Sequence, residues 1–411
     1  MDENKHFVTG LDIGTENVRA IIATVTREGE VAVVGVGEGK SAGMRKGIPA
    51  NLKGPASSID KMLGDAERMG GYEVKSAYVS IGGAQVVSTR TEGMIAVGTM
   101  EHEINGQDLA RVENMAVQGQ IPANRDVLDV VPLEYSLDGQ GGIKDPLGMS
   151  GARLELRANV VSALTPNCEN LKKATLAADV EAKRLVPSVV AAARAVLTDR
   201  QKENGVAVID MGAATTSVAV YEEGDLQYVG VVPAGSNNIT NDLAIVLAID
   251  PGMAEEIKTR FVTGEFDIEK SPVIRIGKEG KGERAFDRKE VDTVVRERLE
   301  EIFGEIRKKL RNAHYDQRLP EGIVLTGGGA KMKHIDQFAK SALEAAVKIG
   351  VPIGVGGVND AIEKPEFATA VGLALMAAET AEMDAKPVKK AKKAPKIDLK
   401  LGFLKKILNK F

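Results

Sequence analysis

Tryptophan is absent from these 411 residues, and aromatic side chains make up only 4% of them. The cores must therefore be filled by Val, Ile, Leu and Ala. Cysteine occurs once, at Cys168, which excludes a disulfide scaffold and fits a reducing cytoplasm. Proline is scarce, 15 residues against 44 glycines, which argues for tight turns and close backbone approaches over Pro-rich disorder. No apolar run approaches the roughly 20 residues that a spanning helix needs. The opening residues MDENKHFVTG lack the basic-then-apolar layout of a signal peptide. An integral membrane protein is not expected. What is present, 43% hydrophobic and 27% charged residues, is the composition of an ordinary globular protein. At roughly 150 residues per domain the length suggests two or three folding units.

Charge is unevenly placed. Residues 385–411 carry ten Lys and a single acid, Asp398, for about +9, while the whole chain sums to −4. The remaining body therefore carries about −13. An acidic body with a basic tail is the layout expected when the tail alone must find an anionic surface.

Along the chain, Phe7 to Ile13 and Val18 to Val25 read as two strands around a Gly14-Thr15-Glu16-Asn17 turn, with a third strand at 31–36. A helix is expected from Ser57 to Met69 and a strand from Tyr78 to Ile81, ending at Gly82-Gly83. From residue 85 to 164 the pattern changes to short strands with one helix near 107–118, as in a small α+β insertion. Ala-rich helices follow at 167–178 and 188–197. At Val206 the opening arrangement recurs: apolar strand, Asp210, small-residue turn, strand 218–221. The two aspartates, Asp12 and Asp210, stand 198 positions apart. This internal repeat suggests two similar α/β halves facing each other. A charged, helical region is expected over 239–317, with Val291–Leu310 its best periodic segment. A strand at 323–325, a Gly-rich loop and a helix at 368–379 complete the body.

Four constellations carry chemistry. In Gly10-Leu11-Asp12-Ile13-Gly14-Thr15-Glu16-Asn17, Gly14 lets the chain reverse so that main-chain N–H groups face inward, where they can bind phosphate oxygens. Asp12 is then free to hold Mg²⁺ through water. The second, Asp210-Met211-Gly212-Ala213-Ala214-Thr215-Thr216, repeats that logic. The third, Thr326-Gly327-Gly328-Gly329-Ala330, allows close contact with a flat ring or sugar. The fourth, Glu255-Glu256-Ile257-Lys258, would on its own be a solvated helix face.

In this order the four resemble the actin/heat-shock-chaperone/sugar-kinase ATPase superfamily. The resemblance sharpens to the bacterial FtsA cell-division family and runs through nearly the whole chain. The family-like stretches include Gly43-Met44-Arg45-Lys46-Gly47, Val79-Ser80-Ile81-Gly82-Gly83 and Ile239-Thr240-Asn241-Asp242-Leu243. The most specific is Gly142-Ile143-Lys144-Asp145-Pro146-Leu147-Gly148-Met149-Ser150-Gly151-Ala152-Arg153-Leu154-Glu155. The resemblance implies an α/β, two-lobed actin-like (ribonuclease H-like) ATPase fold. Lobe 1 would comprise 1–84 and 165–202, and the family's inserted subdomain 85–164. Lobe 2 would comprise 203–240 and 319–384, with a subdomain at 241–318.

The resemblance also implies ATP with Mg²⁺ between the lobes. Phosphates would lie at Gly14, Thr15, Glu16 and Asn17 and at Gly212, Ala213, Ala214, Thr215 and Thr216. Asp12 and Asp210 would hold the metal through water. Glu255, Glu256 and Lys258 would border adenosine, with Gly327, Gly328 and Gly329 packed on it. Two departures stand out. Ala213 and Ala214 replace two glycines of the usual second hairpin. Val186, before Pro187, replaces the acidic residue that would orient an attacking water in chaperone and kinase relatives. ATP binding is thus a firmer expectation than hydrolysis, which is at most slow, and no catalytic residue is assigned.

As a family member the chain would polymerise head to tail and tether FtsZ filaments, binding the FtsZ C-terminal peptide at 241–318. It would act with other divisome proteins on the cytoplasmic face of the membrane at the septum. Its membrane device would be the amphipathic helix 397–411, after a Lys/Ala/Pro linker at 385–396. At 100° per residue Phe403, Leu404, Ile407, Leu408 and Phe411 share an arc of about 140°, with Lys405, Lys406 and Lys410 outside it. Such a helix binds anionic lipid weakly and reversibly. The periodic apolar face argues against nucleic acid as the tail's partner. Two alternatives have different sequence demands. A PilM-like pilus-assembly scaffold would not need the Gly142–Glu155 signature. A sugar or acetate kinase would need a catalytic carboxylate and has no use for a membrane helix.

Overall fold

Residues 6–266, 271–278, 281–315 and 318–385 are described by the computed structural model; the 386–396 part of the linker and all of the terminal helix lie outside them. The first lobe opens with β1 (His6–Ile13), β2 (Asn17–Val25) and β3 (Val31–Lys40), an antiparallel meander, then α1 (Lys53–Gly70) and β4 (Ser76–Ile81), which pairs parallel to β1. The chain then leaves for an insert: β5 (Val87–Ala96), α2 (Gly106–Val117), β6 (Arg125–Leu137), β7 (Gln140–Ile143) and β8 (Arg153–Leu164), in sheet order β5-β8-β6-β7. Its strands run to 13 residues, longer than the sequence pattern suggests. The lobe resumes with α3 (Thr165–Leu176), β9 (Glu181–Pro187) and α4 (Ser188–Val196).

Lobe 2 follows α5 (Asp199–Asn204) with β10 (Val206–Met211), β11 (Thr216–Glu222) and β12 (Asp225–Val232), then α6 (Ser236–Val246) and α7 (Pro251–Phe261). The 239–317 region is not helical throughout. It contains the antiparallel hairpin β13 (Val273–Lys278) and β14 (Lys281–Asp287) before α8 (Arg288–Asn312). The hairpin's dense Lys, Arg and Glu mask its alternation, in which Ile274, Ile276 and Phe286 are the inward residues. The lobe ends with β15 (Ile323–Thr326), α9 (Ile335–Leu343), β16 (Val347–Ile349) and α10 (Ala368–Ala385).

The two main sheets share one topology. Lobe 1 reads β3-β2-β1-β4-β9, with a two-residue addition at the β3 edge, and lobe 2 reads β12-β11-β10-β15-β16. The central strands are continuous apolar runs because both faces are covered. In β10, Val206 and Val208 join the core shared with lobe 1, whereas Ala207, Ile209 and Met211 face the lobe 2 helices. α8 turns Val291, Val295, Leu299, Ile302, Phe303, Ile306 and Leu310 inward, a 3.6-residue stripe, and Asp287 caps its start by accepting from the Lys289 N–H at 2.8 Å. Gly304 lies on the opposite, exposed face, where an added β-carbon would meet nothing within 4 Å. Gly304→Ala should therefore stabilise the protein by about 1 kcal/mol through helix propensity alone, a shift readable as a higher urea midpoint.

The lobes exchange helices. α4, reached from lobe 1, packs on β10 and β11 of lobe 2, while α10, reached from lobe 2, packs on β1, β2 and β4 of lobe 1. The two helices also cross each other, at Gly372 and Ala191. This crossing carries the hydrophobic core from one lobe into the other without a break.

Candidate functional site

At the facing ends of the sheets, the two Asp-Gly hairpins adopt one geometry. In the first, Asp12 pairs with Arg19 and Ile13 with Val18, and the Gly14 N–H donates to the Asn17 carbonyl at 3.0 Å. In the second, Asp210 pairs with Ser217 and Met211 with Thr216, and the Gly212 N–H donates to the Thr215 carbonyl at 2.9 Å. Asp12 thus corresponds to Asp210 and Gly14 to Gly212. A β-carbon on Gly14 would sit 2.7 Å from the Asn17 carbonyl, so the turn closes only around glycine.

Between the hairpins lies a cavity of ≈ 510 Å³. Every nucleotide-site residue expected from sequence lines it except Thr216 and Glu256. Thr216 is buried in β11, where its hydroxyl donates to the Ala234 carbonyl at 2.8 Å. Glu256 does not line the cavity but pairs with Arg260, which does. Glu255 and Lys258, three residues apart and so on one face, pair at 2.6 Å. Thr240 holds both, donating to Glu255 at 2.6 Å and accepting from Lys258 at 2.9 Å. Nearby Asp242 accepts from Arg298 at 2.5 and 3.0 Å, fixing α6 to α8.

The carbonyls of the second hairpin are tied elsewhere, and neither Ala213 nor Ala214 takes a positive φ. The Gly212 and Ala213 carbonyls accept from the Ser236 and Asn237 N–H groups at 3.0 and 2.7 Å, at the start of α6. In a planar trans peptide the N–H opposes the C=O, so the amides of Ala213 and Ala214 point away from α6. Gly235 makes this possible, since a β-carbon there would meet both carbonyls within 2.7 Å. Gly327 is equally constrained: φ is 87°, and a β-carbon would lie 2.3 Å from Asp210 Oδ1.

Asp12 and Asp210 lie deep enough that burial raises the proton affinity of each. For Asp12 the Arg19 charge and the Ser80 hydroxyl, which donates to Oδ1 at 2.8 Å, work against that rise without cancelling it. For Asp210 burial and then the Asp12 charge push the pKa up to about 7, against smaller effects of Arg19 and Thr369. Two opposed carboxylates that repel each other in a cleft, beside turns offering free amides, fit a divalent cation with an anionic ligand. Among the described residues no three His, Cys, Asp or Glu cluster as metal ligands, so such an ion would keep much of its water.

At the mouth, Glu16 joins the lobes. It accepts from Lys40 of lobe 1 at 2.6 Å and from Asn237 of lobe 2 at 3.1 Å, and the hydrogen bond from Lys40 chiefly lowers its pKa. Pro187 ends strand β9 and caps α4, so it does not sit inside a helix; Val186 before it is buried. Several lining residues escaped the sequence reading. Arg19 is across the ladder from Asp12, Lys331 pairs with Glu366 at 2.8 Å, and Thr369 begins α10. Only the register of β2 could have pointed to Arg19.

Sequence comparison adds independent findings. The family described as cell division protein FtsA matches residues 207–372, and the SHS2 domain inserted in FTSA matches residues 83–162. The chain is 34% identical to the FtsA of Pseudomonas aeruginosa over 368 residues, 89% of this chain and 88% of that protein. It is 30% identical to the FtsA of Escherichia coli K12 over 90% of each chain. With the FtsA of Bacillus subtilis identity is also 30%, over 94% of this chain and 87% of that one. Among solved structures, the PilM-PilN type IV pilus biogenesis complex matches with a TM-score of 0.68 at 17% identity, over 90% of this chain and 98% of that one. MreB5 of Spiroplasma citri bound to ADP matches with a TM-score of 0.55 at 14% identity, over 93% and 99%. At these identities the structural likeness establishes the fold, which is actin-like.

Proposed function

Because the chain belongs to the FtsA family of cell division proteins, we propose that it binds ATP with Mg²⁺ between its lobes, polymerises head to tail, and tethers FtsZ filaments to the membrane. The observation that carries nucleotide binding is the pair of matched Asp-Gly hairpins facing across one cavity. Asp12 and Asp210 hold Mg²⁺ through water, and the amides of residues 15–17 and 213–215 receive phosphate oxygens. Glu255, Lys258 and the Gly327–Gly329 turn receive the adenosine. An MreB bound to ADP shares this fold, which supports the assignment.

FtsZ engages subdomain 241–318 through its C-terminal peptide, other divisome proteins join at the septum, and the insert meets the 241–318 region of the next subunit. A contact of that kind repeats without closing, so it yields filaments. No helix among the described residues is long and apolar enough to cross a membrane. Attachment to anionic lipid on the cytoplasmic face falls to residues 397–411, whose separate weak anchors add up along a filament. A pilus-assembly role like that of PilM draws only on the shared fold, whereas the FtsA relatives match at the level of sequence.

Vesicle co-sedimentation with ATP present tests the reading. Leu404→Glu places a charge in the apolar arc, where desolvation opposes insertion. It should reduce pelleting with anionic vesicles at least tenfold while leaving nucleotide affinity unchanged. Equal pelleting of variant and parent would remove the tail as the anchor.

A further inference from the structure

We propose that Lys144 is the releasable end of a brace by which the insert ties lobe 1 to lobe 2 outside the nucleotide cleft. The insert is covalently part of lobe 1, which it leaves after β4 and re-enters at α3. Its β6 is also joined to that lobe by Asp129, paired with Arg184 of β9 at 3.2 Å. Yet its other side rests on β12, the free edge strand of lobe 2. Rotation of the lobes must therefore carry this contact along or break it.

Apart from the Arg90 guanidinium of β5, which donates to Gln227 and Tyr315 at 3.1 Å each, the contact has two unlike parts. One is neutral, buried at Asn159 and half-buried at Ser88. Asn159 donates to the Leu226 carbonyl at 2.8 Å, and Ser88 accepts the Val229 N–H at 2.8 Å while donating to the Val229 carbonyl at 3.2 Å. These bonds satisfy backbone groups of an edge strand, and losing them would strand buried polar atoms. That part is the pivot.

The other part is ionic and half-exposed. Lys144 reaches Glu223 at 2.9 Å, Asp225 at 2.8 Å and the Leu133 carbonyl of its own insert at 3.1 Å, one acceptor for each ammonium hydrogen. The surroundings on both sides are built for it. Gly142 and Gly148 take positive φ, and the Asp145 carboxylate accepts the Leu147 N–H at 3.0 Å, so the signature loop holds Lys144 forward. On lobe 2, Glu223 and Gly224 form the two-residue β11–β12 turn with φ of 54° and 81°. Glu is an unfavourable residue for that conformation, where Asn, Asp or Gly would serve a bare turn. The turn is held rigid by the Glu223 N–H on Glu203 and the Gly224 N–H on Lys202, at 3.0 and 3.2 Å. A half-exposed ion pair is weak and screened by salt. The brace thus opens at Lys144 and stays hinged at β12.

The test is a spin-label distance measurement on the full chain, with labels at Gln107→Cys in the insert and Lys340→Cys in lobe 2, both exposed positions. The native Cys168 is buried and does not compete for label. Lys144→Glu should widen the distance distribution about twofold, and 1 M NaCl should widen the parent's in the same way. Adding Glu223→Lys and Asp225→Lys to Lys144→Glu should restore the narrow distribution. An unchanged distribution in Lys144→Glu would overturn the proposal, as would a widening that the reversed charges fail to repair.

Discussion

Gly372→Val is expected to abolish soluble, cooperatively folding protein, and Gly372→Ala to cost about 3 kcal/mol or more, at or beyond the top of the usual overpacking range. A β-carbon at this position would lie 1.7 Å from the Ala191 carbonyl oxygen and 2.5 Å from its carbon. Those are backbone atoms of α4, so no rotamer change relieves the clash. The helices would have to separate where the core passes from one lobe to the other, and α10 is held on its far side too. There Gly10 of β1 allows the same closeness, since its β-carbon would be 2.3 Å from the Ala370 carbonyl. The measurement is urea unfolding followed by circular dichroism. A midpoint for Gly372→Ala within error of the parent would show that the helices can part freely.

Asp210→Asn should weaken Mg²⁺-dependent nucleotide binding at least tenfold and, in the same molecule, stabilise the ligand-free protein at neutral and higher pH. The binding loss follows from removing one of the two charges that oppose each other across the cleft; hydrogen bonds to charged groups contribute about 1.5–3 kcal/mol. The stability gain follows from linkage. Asp210 titrates near 3.8 when unfolded and is pushed up to about 7 when folded. Below the lower value both states hold the proton and pH has no leverage. Between the two values the folded state binds more protons, so the parent loses stability as pH rises, until the loss levels off above about 7. Asparagine cannot ionise and escapes that loss. The expected result is a ligand-free melting temperature a few degrees above the parent's at pH 8, converging toward pH 4, with little further rise on adding Mg²⁺ and ATP. Full retention of affinity by calorimetry would count against a cation between Asp12 and Asp210.

Both hairpins were legible in the sequence because each states its geometry locally. An apolar strand, Asp, Gly and a second apolar strand leave few other conformations, and the repeat after 198 positions tells that the pair belongs together. α8 was legible for the same reason, its stripe being unbroken for five turns. What failed depended on neighbours. Strand β9 begins Glu181-Ala182-Lys183-Arg184, an edge sequence whose pairing with β4 only the assembled sheet reveals. Glu256 differs from Glu255 by one residue, hence by 100° around α7, and which of them meets the cleft is decided by how α7 lies on α6. Arg19 and Thr369 reach the site from elements whose register or packing places them there. The tie that holds the carbonyls of the second hairpin, from Ser236 and Asn237, comes from another element, so its own sequence does not show it.

The exchange of helices between lobes also sets an order of events during synthesis. β1 ends at residue 13, yet the helix that covers one of its faces, α10, spans residues 368–385 and is made long after it. Until then Val8, Ile21 and Tyr78, which share the face of Gly10 that α10 covers, have a sheet but no lid, and the nascent chain carries an apolar surface while the intervening residues are made. Such a chain has high contact order and a long exposure to misassociation. A truncation before residue 368 should therefore yield no lobe 1 at all, though every strand of that lobe would be present. The ribosome-bound intermediate should be a strong client for chaperones that recognise apolar strands.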